Sequence, residues 1–455
     1  MTSRGDPGLK RSITLPQAIM YGVGLILGAG IYVLIGDVAA ISGNTLWISF
    51  IVAAIIATLT GLSYAELTSI FPKSAAEYVF VKEAFGVNFL ALIVGCLIIF
   101  VAVTSAAAVS VGFSGYLAVF LPQYPHIIYA IILVIVLSFV NFYGITESVW
   151  TNIVFTLVEI TGLLIIIIVG FTTGSITEVD YLQLPLSAAK PSHISAISIV
   201  LASTTLIFFA YYGFENIANI SEETKDARRV IPRALLLSIL ITTILYVLVG
   251  LSSIALVGWK EMASSEAPLA VVASKALGDK GMVILTSIAL FATTNTVLMM
   301  LISGSRIIYG MAKDNAFSVN LATIHGSRRT PWIAVALTMV LTLITILLSS
   351  GSIVMLASVS VFGILTVFGL VNLSVIWLRF KQPALHRSFA SPFTWKKFPI
   401  LAGLGLVTTA IIMFQFGTGI IISTSLVLVS IIILCIILTI TRRGSMTRGN
   451  NTRQD

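Results

Sequence analysis

Apolar runs of roughly 18 residues or more, the length needed to cross a bilayer as a helix, recur along the whole chain, separated by short polar and basic connections. The pattern predicts twelve spans, near residues 15–36, 43–70, 88–118, 127–144, 150–172, 195–219, 231–257, 281–311, 332–349, 352–378, 398–417 and 419–441. The longest connections, 173–194 and 259–280, read as loops on one side of the membrane. Tails at 1–14 and 442–455 flank a ten-span core at 15–378 and a final pair of spans at 398–441.

Two spans are interrupted. Gly22, Gly24, Gly28 and Gly30 fall within nine residues of the first, and each glycine weakens a helix by about 1 kcal/mol relative to alanine. A second interruption, Ala210-Tyr211-Tyr212-Gly213-Phe214-Glu215, falls in the sixth span. Unwound backbone is tolerated at membrane depth only where it is buried in protein or lines a cavity. Broken helices at matching positions in two halves point to a transporter's binding site. The alternative is that small residues merely let helices pack closely. Spans 1–5 and 6–10 each begin with a break, and an odd number of spans per repeat inserts the second copy upside down. The expected fold class is therefore an all-α polytopic membrane protein of twelve transmembrane helices, a five-plus-five inverted repeat with helices 1 and 6 broken.

Lysine and arginine placement orients this arrangement. Of 26 such residues, all but Lys190, Lys260, Lys275 and Lys280 lie in the tails and the alternate connections. By the positive-inside rule both termini are cytoplasmic. The net charge of +8, which in a soluble chain would hint at nucleic acid, is accounted for in this way, and no nucleic-acid partner is expected. With 58% hydrophobic and 10% charged residues, no separate soluble domain is indicated. Cys96 and Cys435 both lie in apolar runs, and the four histidines are scattered through connections. No metal-ligand spacing or disulfide framework results. Residues 120–126, after the third span, hold no cysteine for a disulfide-linked companion subunit.

Most acidic residues fall in loops or at span ends; Glu159 and Glu215 are the exceptions. An ionisable group at membrane depth is a functional hypothesis by default. Glu159 reads either as a coupling group or as a structural carboxyl bonded to a neighbour. Glu215 reads either as a gate or as a helix-end hydrogen-bond acceptor. The half-helix that follows Gly28-Ala29-Gly30 offers free N–H groups and a positive dipole end to a carboxylate. Freed carbonyls near Ile26, Phe209 and Tyr212 can accept from an ammonium group, so one site could hold an α-amino acid zwitterion. Oxygen-bearing side chains at Thr293, Thr294, Asn295 and Thr296 could ligate Na⁺, but such residues often bond only their own helix.

Leu27-Gly28-Ala29-Gly30-Ile31 resembles the first-helix signature of the amino acid–polyamine–organocation superfamily of transporters. Four further stretches resemble that superfamily in the same order: Tyr64-Ala65-Glu66-Leu67 through Pro72 to Tyr78; Phe209 to Glu215, with Glu222-Glu223-Thr224-Lys225 and Arg229-Val230-Ile231-Pro232; Arg306 to Asp314, with Pro331; and Pro383-Ala384-Leu385-His386-Arg387. The resemblance implies a substrate carboxylate on the N–H groups of Ala29 and Gly30, within the Gly28–Gly30 turn. It implies an amino group on the carbonyls of Ile26, Phe209 and Tyr212, next to Gly213. Phe209 would act as a gate, together with Glu215, and Ser105, Ala106 and Ala107 would lie near the substrate side chain. Relatives without sodium coupling can carry a lysine in the fifth helix; here the aligned residue is Glu159. The hydroxyl pair that binds sodium in relatives falls at Thr294 and Asn295, with Asn in the second place, and Ala75-Ala76 replaces the usual paired glycines.

The expected function is a plasma-membrane permease for neutral or broadly accepted amino acids. It would work by alternating access, with proton-coupled symport favoured over sodium, and with the lipid bilayer and the amino acid as partners. No cofactor is expected. An amino acid/polyamine exchanger is the alternative within transport. A transporter-like sensor is disfavoured by tails of about a dozen residues, and an intramembrane enzyme by the lack of a catalytic constellation.

Overall fold

The computed structural model describes residues 11–73, 75–143, 149–173, 177–185, 193–314 and 316–451. Residues 1–10 with Arg4 and Lys10, and also Lys190 and Arg453, lie outside the described residues.

The chain folds almost wholly into helices. These are α1 (Leu15–Leu27), α2 (Gly30–Ser42), α3 (Leu46–Ile70), α4 (Ala76–Phe85), α5 (Asn88–Ala118), α6 (His126–Tyr143), α7 (Val149–Thr173) and α8 (His193–Tyr211). They continue as α9 (Asn216–Asn219), α10 (Ala227–Ala263), α11 (Pro268–Lys313), α12 (Trp332–Leu348), α13 (Ile353–Lys381), α14 (Ile400–Met413) and α15 (Thr418–Asn451). Among the described residues, nine stretches are long and apolar enough to cross a membrane, and α1, α12 and α14 are shorter apolar helices. The protein is an all-α polytopic membrane protein.

Both interruptions appear where glycine spacing places them: α1 stops at Leu27 and α2 starts at Gly30, and α8 stops at Tyr211 ahead of α9. Three features differ from expectation. First, the connection expected at 259–280 is largely helical. α10 and α11 run through it, turning at Gly258 (φ 72°) and Gly278 (φ 65°), where left-handed backbone costs glycine nothing. Leu269, Ala270, Val272 and Ala273 are buried there, an i, i+1, i+3, i+4 face packed onto the core. Second, α4 occupies the connection after the second span, burying Ala76, Glu77, Phe80, Val81 and Ala84 along one stripe. Ala75 ahead of it sits at φ 55°, a left-handed conformation that glycine would take without strain. Third, a two-stranded hairpin pairs β1 (Thr394–Trp395) with β2 (Phe398–Pro399).

Polar contacts tie the two ends of the bundle. At one end, Asn44 donates to the Asp180 carbonyl at 2.8 Å, and His126 pairs with Glu266 at 2.6 Å. At the other, basic end, Glu66 is 1% exposed and accepts from Arg379 Nε and Nη2, both at 2.7 Å, from Arg387 Nε at 3.1 Å and from the Ser391 N–H at 2.9 Å. A buried carboxylate is tolerable only with such full pairing. Cys96 and Cys435, 339 residues apart, bring their sulfurs to 3.8 Å between α5 and α15.

Candidate functional site

The two breaks pack directly on each other. A Cβ added at Gly30 would lie 2.6 Å from Ala210 Cα, and one at Gly213 would lie 2.6 Å from the Leu25 carbonyl oxygen. Any larger residue would push the unwound segments apart. Gly213 also adopts φ 124°, which L side chains rarely take. Around this contact lies a small cavity of about 20 Å³, lined by Leu25, Ile26, Gly28, Ala29, Gly30, Val109, Phe209, Tyr212, Thr296 and Met300. That is room for about one water, so a substrate could enter only if the wall moved, and its wall carries no charged side chain.

Each break exposes backbone groups that a continuous helix would pair. At the first, the Ala29 N–H donates to Thr296 Oγ1 of α11 at 3.1 Å. The Ile26 and Leu27 carbonyls face the Tyr246 hydroxyl of α10 at 2.7 and 3.2 Å. The same hydroxyl lies 3.0 Å from the Ala210 carbonyl at the second break. With one proton and three carbonyls in reach, Tyr246 joins the two unwound segments. Its ring is held by Phe50 and Tyr211, with centroids at 5.3 and 5.4 Å.

At the second break, the Gly213 N–H turns to Glu215 Oε2 at 2.7 Å, which releases the Phe209 carbonyl from its helical role. Asn216 Nδ2 donates to the other carboxylate oxygen at 3.0 Å. The Glu215 carboxylate thus folds back onto its own loop. The Phe209 and Tyr212 rings meet edge to face at 5.4 Å on the cavity wall, and the Tyr212 hydroxyl donates to Met300 Sδ at 3.4 Å.

Of the residues singled out from sequence, Ile26, Gly28, Ala29, Gly30, Phe209 and Tyr212 are brought together around the cavity, with Gly213 at the contact between the breaks. Ser105 faces the Tyr212 hydroxyl. Ala106 is buried, but the α5 residue on the cavity wall is Val109, one turn from Ser105. Glu159 is fully buried in α7 and outside the cavity lining, directed at Asn295 of α11. Neither its carboxyl oxygens nor Asn295 Oδ1 meets a hydrogen-bonding partner among the described residues. The backbone carbonyl of Glu159 accepts from the Tyr32 hydroxyl at 3.0 Å. Thr294 spends its hydroxyl on the Leu290 carbonyl of its own helix at 2.6 Å, whereas Thr296 reaches the first break.

Tyr246, Val109 and Met300 escaped the sequence reading, since each lies in an apolar helical stretch where nothing local marks it, and Thr296 was read only as one of a cluster of oxygen-bearing residues that could ligate Na⁺. Glu66 and Glu77 join Glu159 and Glu215 as buried carboxyls. Glu77 accepts from the Tyr64 hydroxyl at 3.2 Å, and the Tyr64 ring packs edge-on against Phe214 of the second break at 5.7 Å. Burial pushes the Glu77 carboxyl up to about 7, against the lowering effect of its hydrogen bonds.

The amino acid permease family model matches residues 13–446. The branched-chain amino acid permease BcaP of Bacillus subtilis (strain 168) is 28% identical over 436 residues, covering 91% of this chain and 90% of that protein. Cationic amino acid transporter 4 of Mus musculus is 28% identical over 421 residues, covering 85% of this chain and 63% of that protein. The methylthioribose transporter of Bacillus subtilis (strain 168) is 27% identical over 406 residues, covering 85% of each. These relatives are transporters and not enzymes. The chain belongs to the amino acid permease family, within the amino acid–polyamine–organocation superfamily.

Proposed function

We propose that this protein is a secondary active transporter that carries neutral, apolar amino acids across the plasma membrane by alternating access. It would span the membrane twelve times as a five-plus-five inverted repeat with both termini cytoplasmic. The observation that carries the reading is the meeting of Gly30 with Ala210 and of Gly213 with Leu25 around one cavity. The substrate carboxylate would take the leading N–H groups of α2 at Ala29 and Gly30, displacing Thr296 from Ala29. The ammonium group would take the Ile26 and Phe209 carbonyls with that of Tyr212. The uncharged wall, with Val109 and Met300, favours an aliphatic side chain, in keeping with a relative named as a branched-chain amino acid permease. Phe209 would close over the bound substrate, and Glu215 would hold the second break in shape for it.

Coupling is assigned to a proton at Glu159. A carboxyl with no bonded partner beside an equally unpartnered Asn295 Oδ1 suits a shared proton, donated from the acid to the amide oxygen. Uptake of labelled amino acids into proteoliposomes, with proton and sodium gradients imposed separately, tests both parts. Leucine or valine should accumulate under an inward proton gradient alone. Glu159→Gln should abolish that accumulation while sparing exchange of internal for external substrate. Accumulation driven only by sodium would assign the three oxygens to a cation site, and accumulation retained in Glu159→Gln would remove Glu159 from coupling.

A further inference from the structure

The hairpin between α13 and α14 combines features that solvent alone does not explain. Trp395 pairs with Phe398, and Lys396-Lys397 form its tip. Phe393 is 73% and Trp395 71% exposed. Phe393 and Lys396 hold φ angles of 57° and 56°, a region where a bulky side chain is strained and a solvent-facing turn ordinarily has glycine or asparagine. Residues 379–399 contain no Asp or Glu. Arg379 and Arg387 are committed to Glu66, but Lys381, Lys396 and Lys397 are exposed with no carboxylate in salt-bridge range among the described residues. Two of them lie over exposed aromatics, Lys381 5.3 Å from the Trp377 ring and Lys396 5.9 Å from the Trp395 ring.

Nor is the hairpin a loose loop. Arg379 Nη1 donates to Thr394 Oγ1 at 3.1 Å and Nη2 to the Ser391 carbonyl at 3.3 Å, while the other edge of that guanidinium grips Glu66 at the end of α3. Force on the hairpin therefore reaches the ends of α3 and α13, the helices packed beside α8 and α4.

We propose that the 393–398 hairpin, with Lys381, is a docking surface for anionic phospholipid headgroups of the bilayer around the protein, with Phe393 and Trp395 seated in the interface. Exposed aromatic rings prefer the headgroup level, and unpaired lysines there are drawn to anionic lipid. The cytoplasmic placement of this surface rests on the topology proposed above; its lipid selectivity does not.

The test uses the full-length protein in nanodiscs of phosphatidylcholine with one quarter phosphatidylglycerol, the acyl chains of one lipid or the other being brominated. Quenching of Trp395 is taken as the difference between wild type and Trp395→Phe. Per mole of brominated lipid, phosphatidylglycerol should quench Trp395 at least twofold more than phosphatidylcholine. The paired change Lys396→Gln, Lys397→Gln at the exposed tip should bring that ratio to about one, as should raising salt to 1 M. Equal quenching in the wild type overturns the anionic selectivity, and no quenching by either lipid overturns docking itself. As a second measurement, short-chain phosphatidylglycerol added to detergent-solubilised protein should raise the melting temperature of wild type and not of the lysine pair variant. An equal shift from inorganic phosphate would assign the lysines to a soluble anion. Labelling of Lys397→Cys by a membrane-impermeant maleimide in intact cells would overturn the proposed topology while leaving the quenching result standing.

Discussion

At the first break the spare N–H of Ala29 is served by Thr296, 267 positions away, whereas at the second the spare N–H of Gly213 is served by Glu215, two residues on. The first break therefore depends on α11 and α10 to keep its shape, and a neutral hydroxyl holds its key donor. A carboxylate can outcompete that hydroxyl, since charge-assisted hydrogen bonds are about twice as strong as neutral ones. The second break already carries its own carboxylate, tied down by Asn216 and resting on Tyr64 and α4. On the proposed reading, the first break is the one open to exchange with a ligand anion, since the spare donor of the second is already bonded.

Four tests would break or sharpen this contrast. The largest effect is expected from Gly30→Val. Its side chain would enter the Ala210 backbone, so substrate binding measured on purified protein should fall more than a hundredfold while the span still inserts. Retained affinity would detach the cavity from the contact between the breaks.

Next comes the support beneath the second break. The Glu77 carboxyl, ordinarily near 4.5, is pushed up to about 7 by burial. A raised acid binds its proton more tightly folded than unfolded, so its contribution is complete below about pH 4.5 and is lost as pH rises through 7. At about 1.4 kcal/mol per pKa unit the loss is on the order of 3 kcal/mol. The melting temperature of the wild type should therefore fall between pH 5 and pH 8, and Glu77→Gln should flatten that slope. An unchanged slope would locate the pH response elsewhere.

Glu215→Ala strips the second break of its internal cap and leaves the Gly213 N–H buried without a partner, at a cost of about 1–3 kcal/mol. Glu215→Gln keeps an acceptor and should recover most of that stability in a thermal shift assay. Loss of transport in both variants with normal stability would instead make the charge itself part of the transport cycle. The smallest effect belongs to the first break. Thr296→Val removes a neutral acceptor from Ala29, worth about 1 kcal/mol. Because substrate is proposed to displace that hydroxyl, its apparent affinity should change less than fivefold, while Tyr246→Phe, which unties both segments, should cost more. A larger loss for Thr296→Val than for Tyr246→Phe would reverse the assignment.

The breaks were legible from residue order because glycine spacing acts locally: Gly28 and Gly213 weaken their own helices whatever lies nearby. The all-helical, apolar character of the chain and the backbone groups released at Ala29 and Phe209 were legible on the same ground. Amphipathic stripes at residues 76–84 and 269–273 were also present in the sequence, masked by the surrounding apolar runs and by their position between spans.

Other features were settled by packing between distant helices, which no local pattern encodes. Val109 rather than Ala106 reaches the cavity because the rotation of α5 about its axis is set by its neighbours. Thr296 rather than Thr294 meets the first break for the same reason on α11. Tyr246 looks like any apolar-span tyrosine until α10 carries its hydroxyl among three carbonyls from two other segments. Glu66 sits at a span end in the sequence, and only the return of Arg379 and Arg387 from more than 300 residues away makes its burial affordable. Hydrophobic periodicity specifies which residues leave water, but the partner that each buried polar atom meets is decided by tertiary contact, because a hydrogen bond acts over about 3 Å and takes no account of separation along the chain.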